Sequence, residues 1–238
     1  MKKRLLFLLS MFVMTVAGGV AGAAAPAEDK VLSGRQESIV VISAFAARGD
    51  LDNLKTALAE GLDAKALTVN EEKEILTQLY AYAGFPRSLN ALGTLMTLLN
   101  ERKAAGIADT MGPDADPVDP NRDRYAIGDT IQTELVGQPV AGPLFDFAPT
   151  ISQFLKEHLF CDVFERKILT WQEREFATIA MLAGIGNVNA QFASHMWTGM
   201  HNGITGDQLK ATAVLLGRRV GKATGDNAMT VAKSVLGE

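Results

Sequence analysis

Two stretches decide the fold: Thr68-Val69-Asn70-Glu71-Glu72-Lys73-Glu74-Ile75 and Thr205-Gly206-Asp207-Gln208-Leu209-Lys210. In each, a threonine stands three residues ahead of Glu or Gln and just before an apolar-periodic run. That spacing is a capping box, in which the hydroxyl and the carboxyl or amide satisfy each other's backbone N–H, so each stretch predicts a helix start. Thr170 with Glu173 repeats the signal. Asp50 after Gly49 and Asp226 after Gly225 read as further N-caps, and Gly84 followed by Pro86 reads as a helix end with a new helix behind it. No segment alternates apolar and polar residues as a strand would. The expectation is all-α, with helices near 35–47, 51–64, 69–83, 86–103, 147–166, 171–184, 188–201, 206–220 and 226–236.

Laid over 175–238 with a constant shift of 137, residues 38–101 place Thr68 on Thr205, Lys73 on Lys210, Gly84 on Gly221 and Asn90-Ala91 on Asn227-Ala228. Ile42, Ala46 and Gly49 fall on Ile179, Ala183 and Gly186. These identities coincide with matched caps and matched periodicity, so the mature chain reads as one helical unit present twice. The first repeat spans 31–103, a linker 104–126 and the second repeat 127–238. The linker carries Gly112-Pro113-Asp114-Ala115-Asp116-Pro117, which has turn chemistry and no apolar period. Its acids lack the fixed glycine and closing glutamate of a calcium loop and read as solvated.

At the N-terminus Lys2, Lys3 and Arg4 precede an apolar run from Leu5 to Val16 and then small residues up to Ala23. That order is a signal peptide over residues 1–23, which implies an exported, periplasmic or secreted protein. The alternative, a retained anchor, needs about 20 apolar residues, reached only by counting the Gly/Ala segment up to Ala25. The formal charge of −4 becomes −7 without the three basic residues, which argues against nucleic acid as partner. Nor is stable membrane association expected after processing. The single cysteine, Cys161, cannot form an internal disulfide and reads as a buried helix residue, with a lone reactive thiol as the alternative.

Glu74, Gln78 and Tyr82 recur every four residues and share one helix face; Gln191 and His195 share another, with Gly199 one step on leaving open space. Two polar faces can thus meet in one cleft, although each also fits a solvated helix face and His195 also fits a buried structural histidine. His158 lies in an amphipathic stretch where packing or a helix-terminal role is expected. His195 and His201 are six apart and fall on different helix sides, so no metal site is expected.

Three stretches, Leu79-Tyr80-Ala81-Tyr82-Ala83-Gly84-Phe85-Pro86, Leu155-Lys156-Glu157-His158-Leu159-Phe160, and Glu173-Arg174-Glu175 followed by Gln191 and His195, resemble the carboxymuconolactone decarboxylase family over roughly residues 35–236. The resemblance implies an alkylhydroperoxidase D-like helical unit, here in tandem, that usually assembles into rings, hence a homo-oligomer. A thiol-relay relative uses two cysteines where this chain has Val188 and Gln191, so that peroxidase cycle is not expected. The halves have diverged in opposite senses. The first keeps the Tyr-x-Tyr segment but has Leu58 where the histidine falls; the second keeps Glu175, Gln191 and His195 but lacks the aromatic segment. One composite site per chain is therefore expected.

For a decarboxylase the lactone is its own electron sink, so no cofactor is needed beyond donors for the substrate carboxylate and a group titrating near neutrality. In that reading His195 delivers the proton, with Glu175 or Glu74 holding its charged form. Arg87 clamps the carboxylate, Tyr80 and Tyr82 give ring faces and hydroxyls, and Gln78 and Gln191 bind the small-molecule substrate. The competing expectation is a non-catalytic helical binding or assembly protein.

Overall fold

The three expected capping boxes all close: the Thr68, Thr170 and Thr205 hydroxyls accept from the backbone N–H of Glu71, Glu173 and Gln208, whose side chains accept from the capping residue in return. Ser33 with Gln36 forms a fourth. The computed structural model describes residues 31–238, so the signal-peptide reading lies outside the described residues. The helices are α1 (Gly34–Arg48), α2 (Leu51–Asp63), α3 (Val69–Gln78), α4 (Tyr80–Ala83), α5 (Phe85–Ala104), α6 (Arg124–Val136), α7 (Pro143–Phe147), α8 (Pro149–Phe154), a π-helical segment (Leu155–Phe164), α9 (Trp171–Ile185), α10 (Asn189–His201), α11 (Gly206–Arg219) and α12 (Lys222–Leu236). No strand occurs among the described residues, and no described helix is long and apolar enough to cross a membrane.

α1 and α9 pack against each other at the centre of the molecule. Both are apolar almost all round, the pattern of a helix enclosed on every side: Ile39 to Ala47 and Arg174 to Ala183 are buried. Close approach depends on Gly184, where a Cβ would stand 2.6 Å from the Ala44 carbonyl oxygen. α2 and α5 flank α1, and α10 and α12 flank α9. One apolar core, with Ile42, Leu58, Phe176, Ile179 and Leu216 fully enclosed, draws on both halves. Each such side chain contributes about 1.5–3 kcal/mol by leaving water. Residues 31–238 accordingly form one compact unit.

Helix bounds track the shift of 137: α1 and α9 begin at 34 and 171 and end at 48 and 185, and α3 and α11 begin at 69 and 206. α5 and α12 begin at 85 and 222. The packing of α1 on α2 and on α5 has its counterpart in α9 on α10 and on α12.

The structure corrects several expectations. α6 was unforeseen because turn residues dominate the stretch before it, although Asp123 caps its start and Ile127, Ile131 and Leu135 recur every four residues. Ile131 and Leu135 build a second apolar cluster with Leu159, Phe160, Val163 and Phe164. The expected helix 147–166 is instead broken at Ala148 before Pro149 and widens to π turns from Leu155. Asp226 caps nothing: α12 starts at Lys222, and Asp226 pairs with that lysine inside the helix. The loop after α5 is not wholly solvated, since Thr110 and Met111 carbonyls accept from the first N–H groups of α3. Gly199 opens no space: a Cβ there would meet Ile204 at 2.9 Å and Ile179 at 3.3 Å.

Candidate functional site

Where α3 and α4 of the first half meet α9 and α10 of the second, two polar clusters lie within the apolar core. The larger surrounds Arg174, which has no exposed surface. Its Nη2 donates to Glu74 Oε1 at 2.7 Å and to the Arg166 carbonyl at 2.8 Å, and its Nη1 donates to Gln78 Oε1 at 2.9 Å. Arg166 grips the same carboxylate, its Nε at 2.9 and 3.1 Å and its Nη2 at 3.0 Å. Gln78 turns its amide to the Arg174 carbonyl at 3.1 Å and to the Thr178 hydroxyl at 2.9 Å. Burial presses the Arg174 guanidinium below its ordinary range, and the Glu74 carboxylate opposes that shift. Glu74 and Gln78 therefore hold a buried cation across the two halves. Both were expected to serve catalysis and substrate; their hydrogen bonds are instead committed to Arg174, Arg166 and Thr178.

The second cluster brings together three of the residues expected across the halves, Glu175, His195 and Tyr82. Glu175 is fully enclosed, and its Oε2 lies 2.8 Å from His195 Nδ1. The edge of the His195 ring meets the Tyr82 ring, centroids 5.6 Å apart and planes at 82°. Because an ionised carboxylate only accepts, Nδ1 carries the proton and Nε2 is the nitrogen left for chemistry. Among the described residues no side chain hydrogen-bonds that Nε2. The His195 side chain is 20% exposed, so the pair is reached from outside through the imidazole alone.

Two buried oxygens beside this pair, Glu175 Oε1 and the Tyr82 hydroxyl, have no hydrogen-bond partner of proper geometry among the described residues. The Tyr82 hydroxyl lies near Thr178, whose oxygen is taken by Gln78. Burial and then the Glu175 carboxylate drive the Tyr82 phenol well above its usual range, so it remains a neutral donor. A histidine kept only for packing sits among satisfied partners, because an orphaned buried polar atom costs about 1–3 kcal/mol.

The remaining expected residues lie elsewhere. Arg87 is exposed beside Gly49 and makes no hydrogen bond or ion pair with a described residue, so it is not a clamp at His195. Gln191 is exposed on α10 and does not bond the Glu175–His195 pair. Tyr80 stacks on Phe85 and directs its hydroxyl to His158. Cys161 is buried, and burial pushes its thiol up despite Arg122 beside it. No group of three or more His, Cys, Asp or Glu side chains among the described residues is arranged to ligate a metal.

Sequence reasoning missed Arg174, Arg166 and Thr178. A usable signal existed, since Arg174 and Thr178 are one turn apart on α9, spaced to match Glu74 and Gln78 on α3. At the positions 137 residues before His195, Gln191 and Thr178 stand Leu58, Leu54 and Val41, all buried and apolar. No protein-family model matches the chain, and no curated protein matches it.

Proposed function

We propose that the chain is a cofactor-free acid–base enzyme of the carboxymuconolactone decarboxylase type, acting on a small carboxylated or lactone-like metabolite. His195 Nε2 is the atom that transfers the proton, Glu175 fixes the tautomer and balances the imidazolium, and the Tyr82 hydroxyl is the neutral donor beside them. The observation that carries this reading is the enclosed Glu175 carboxylate bonded to a partly exposed His195 next to an unpartnered buried phenol. The accompanying reading is of an internal duplication of an alkylhydroperoxidase D-like unit, supported by helix bounds offset by 137 and by matching helix packings. We carry export through residues 1–23 as part of the same proposal, together with a homo-oligomeric state.

Two findings favour the second reading, a binding or assembly protein. Arg87, the expected carboxylate clamp, is not at the site, and α5 exposes Phe85, Leu89 and Met96 along one face. The two readings separate on incubation with carboxymuconolactone in deuterated water, followed by NMR. Turnover gives carbon dioxide and one deuterium on the protonated carbon. Tight binding of the lactone without its consumption supports the second reading.

A further inference from the structure

On the π-helical segment, Asp162, His158 and, across from α4, Tyr80 form a chain of hydrogen bonds. His158 Nδ1 lies 2.9 Å from Asp162 Oδ2, and the Tyr80 hydroxyl lies 2.5 Å from His158 Nε2. Asp162 is held in turn by Arg122 Nη2 at 2.9 Å and by the Arg124 guanidinium. The accepting carboxylate places the His158 proton on Nδ1, which leaves the Nε2 lone pair for the Tyr80 O–H. Nucleophile, base and orienting group thus stand in the order that activates a hydroxyl for attack. His158 is half exposed, so the arrangement is open to solvent. Burial and the nearby Asp162 raise the Tyr80 phenol, so it holds its proton and depends on His158 Nε2 as the base that removes it.

The fold builds this cluster deliberately close to α6. Gly128 lets α6 lie against the π-helical backbone, where a Cβ would stand 1.8 Å from the Lys156 carbonyl oxygen, and this brings Arg124 at the start of α6 to Asp162. Tyr80 stacks on Phe85, ring centroids 4.6 Å apart and planes at 11°, and Phe85 is 60% exposed. An exposed aromatic face beside the phenol suits a planar aryl group.

We propose that Tyr80, His158 and Asp162 form a second site, which hydrolyses activated aryl esters through an acyl-tyrosine. Tyr80 Oη attacks the ester carbonyl carbon while His158 Nε2 takes the phenol proton. The carbonyl–aryl oxygen bond breaks, and the aryl oxide leaves with that proton. Water, deprotonated by His158, then attacks the acyl-tyrosine, releasing the carboxylic acid and restoring the phenol. Tyr80 and His158 are the catalytic residues and Asp162 a positioning residue.

The test uses p-nitrophenyl acetate on the full chain. A burst of nitrophenolate is expected, with one acetyl group per chain found on Tyr80 by peptide mass mapping. Tyr80→Phe should abolish both, and His158→Gln should slow acylation by about 10²–10⁴-fold with an unchanged helical circular dichroism spectrum. Asp162→Asn should slow acylation and change the His158 tautomer seen by nitrogen NMR. Acetylation confined to lysines, or a wild-type rate matched by Tyr80→Phe, overturns the proposal. Should Tyr80→Phe not fold, His158→Gln decides, and an undiminished acylation rate in it is equally fatal.

Discussion

His195 Nδ1 lies 2.8 Å from the Oε2 of Glu175, a carboxylate with no exposed surface, so the imidazole is oriented by a group that solvent does not reach. The contact joins α9 to α10, and Tyr82 from the first half closes over it. Glu175→Gln puts an amide in that place, whose NH2 can face Nδ1 and force the proton onto Nε2. Turnover of the lactone should fall by about 10²–10⁴-fold while the helical fold is kept. Nitrogen NMR of His195 checks the tautomer change that accompanies the loss.

Tyr82→Phe separates function from folding. Its hydroxyl is buried without a proper partner, so removing it should leave the melting temperature unchanged or raise stability by about 1 kcal/mol. Turnover or lactone affinity should nevertheless fall. A loss of stability with unchanged turnover contradicts the role given to the hydroxyl.

Glu74 supports Arg174 and does not contact His195 through any hydrogen bond. Glu74→Ala leaves the buried guanidinium of Arg174 without its carboxylate and should cost about 3–5 kcal/mol in chemical denaturation. Replacing the pair together, Glu74→Leu with Arg174→Met, should recover most of that loss.

Much of this was legible beforehand. The capping threonines and the glycine at 84 are local signals, and helices start behind each of them as expected. A site joining His195 and Glu175 to Glu74, Tyr82 and Arg87 was what the resemblance implied, and of these the structure brings Glu175, His195 and Tyr82 together. The roles of Glu74, Gln78 and Arg87 were not legible, since helix periodicity assigns a face without naming its partner, and Arg174 on the facing helix takes two of the three. The sequence points to packing or a helix-terminal role for His158 because its partner Tyr80, and the arginines that hold Asp162, lie far off in the chain.

Glu72 gives a pH dependence. It is buried with neither carboxyl oxygen bonded, and burial, then Asp109, pushes its carboxyl up to about 9. The folded state keeps this proton while the unfolded chain releases it near the ordinary value of about 4.3, so the unfolded state binds fewer protons across that window. Stability should therefore fall as pH rises from the ordinary carboxylate range towards 9. Glu72→Gln should flatten that slope, gaining about 1–3 kcal/mol near pH 7 and nothing near pH 4, read from urea denaturation at each pH.

Gly184 sets the spacing of α1 and α9, where an added Cβ would meet the Ala44 carbonyl oxygen at 2.6 Å. Gly184→Ala must push the two central helices apart and should cost about 1–3 kcal/mol. Because α9 carries both Arg174 and Glu175, lactone turnover should fall as well, beyond what the fraction unfolded accounts for.

The most direct measurement compares carboxymuconolactone turnover by the wild type and His195→Gln, with melting curves on the same samples. Proton transfer at His195 predicts a loss of about 10²–10⁴-fold with a substantially preserved melting transition. Equal turnover by the two proteins, or a loss that only follows unfolding, contradicts the acid–base site.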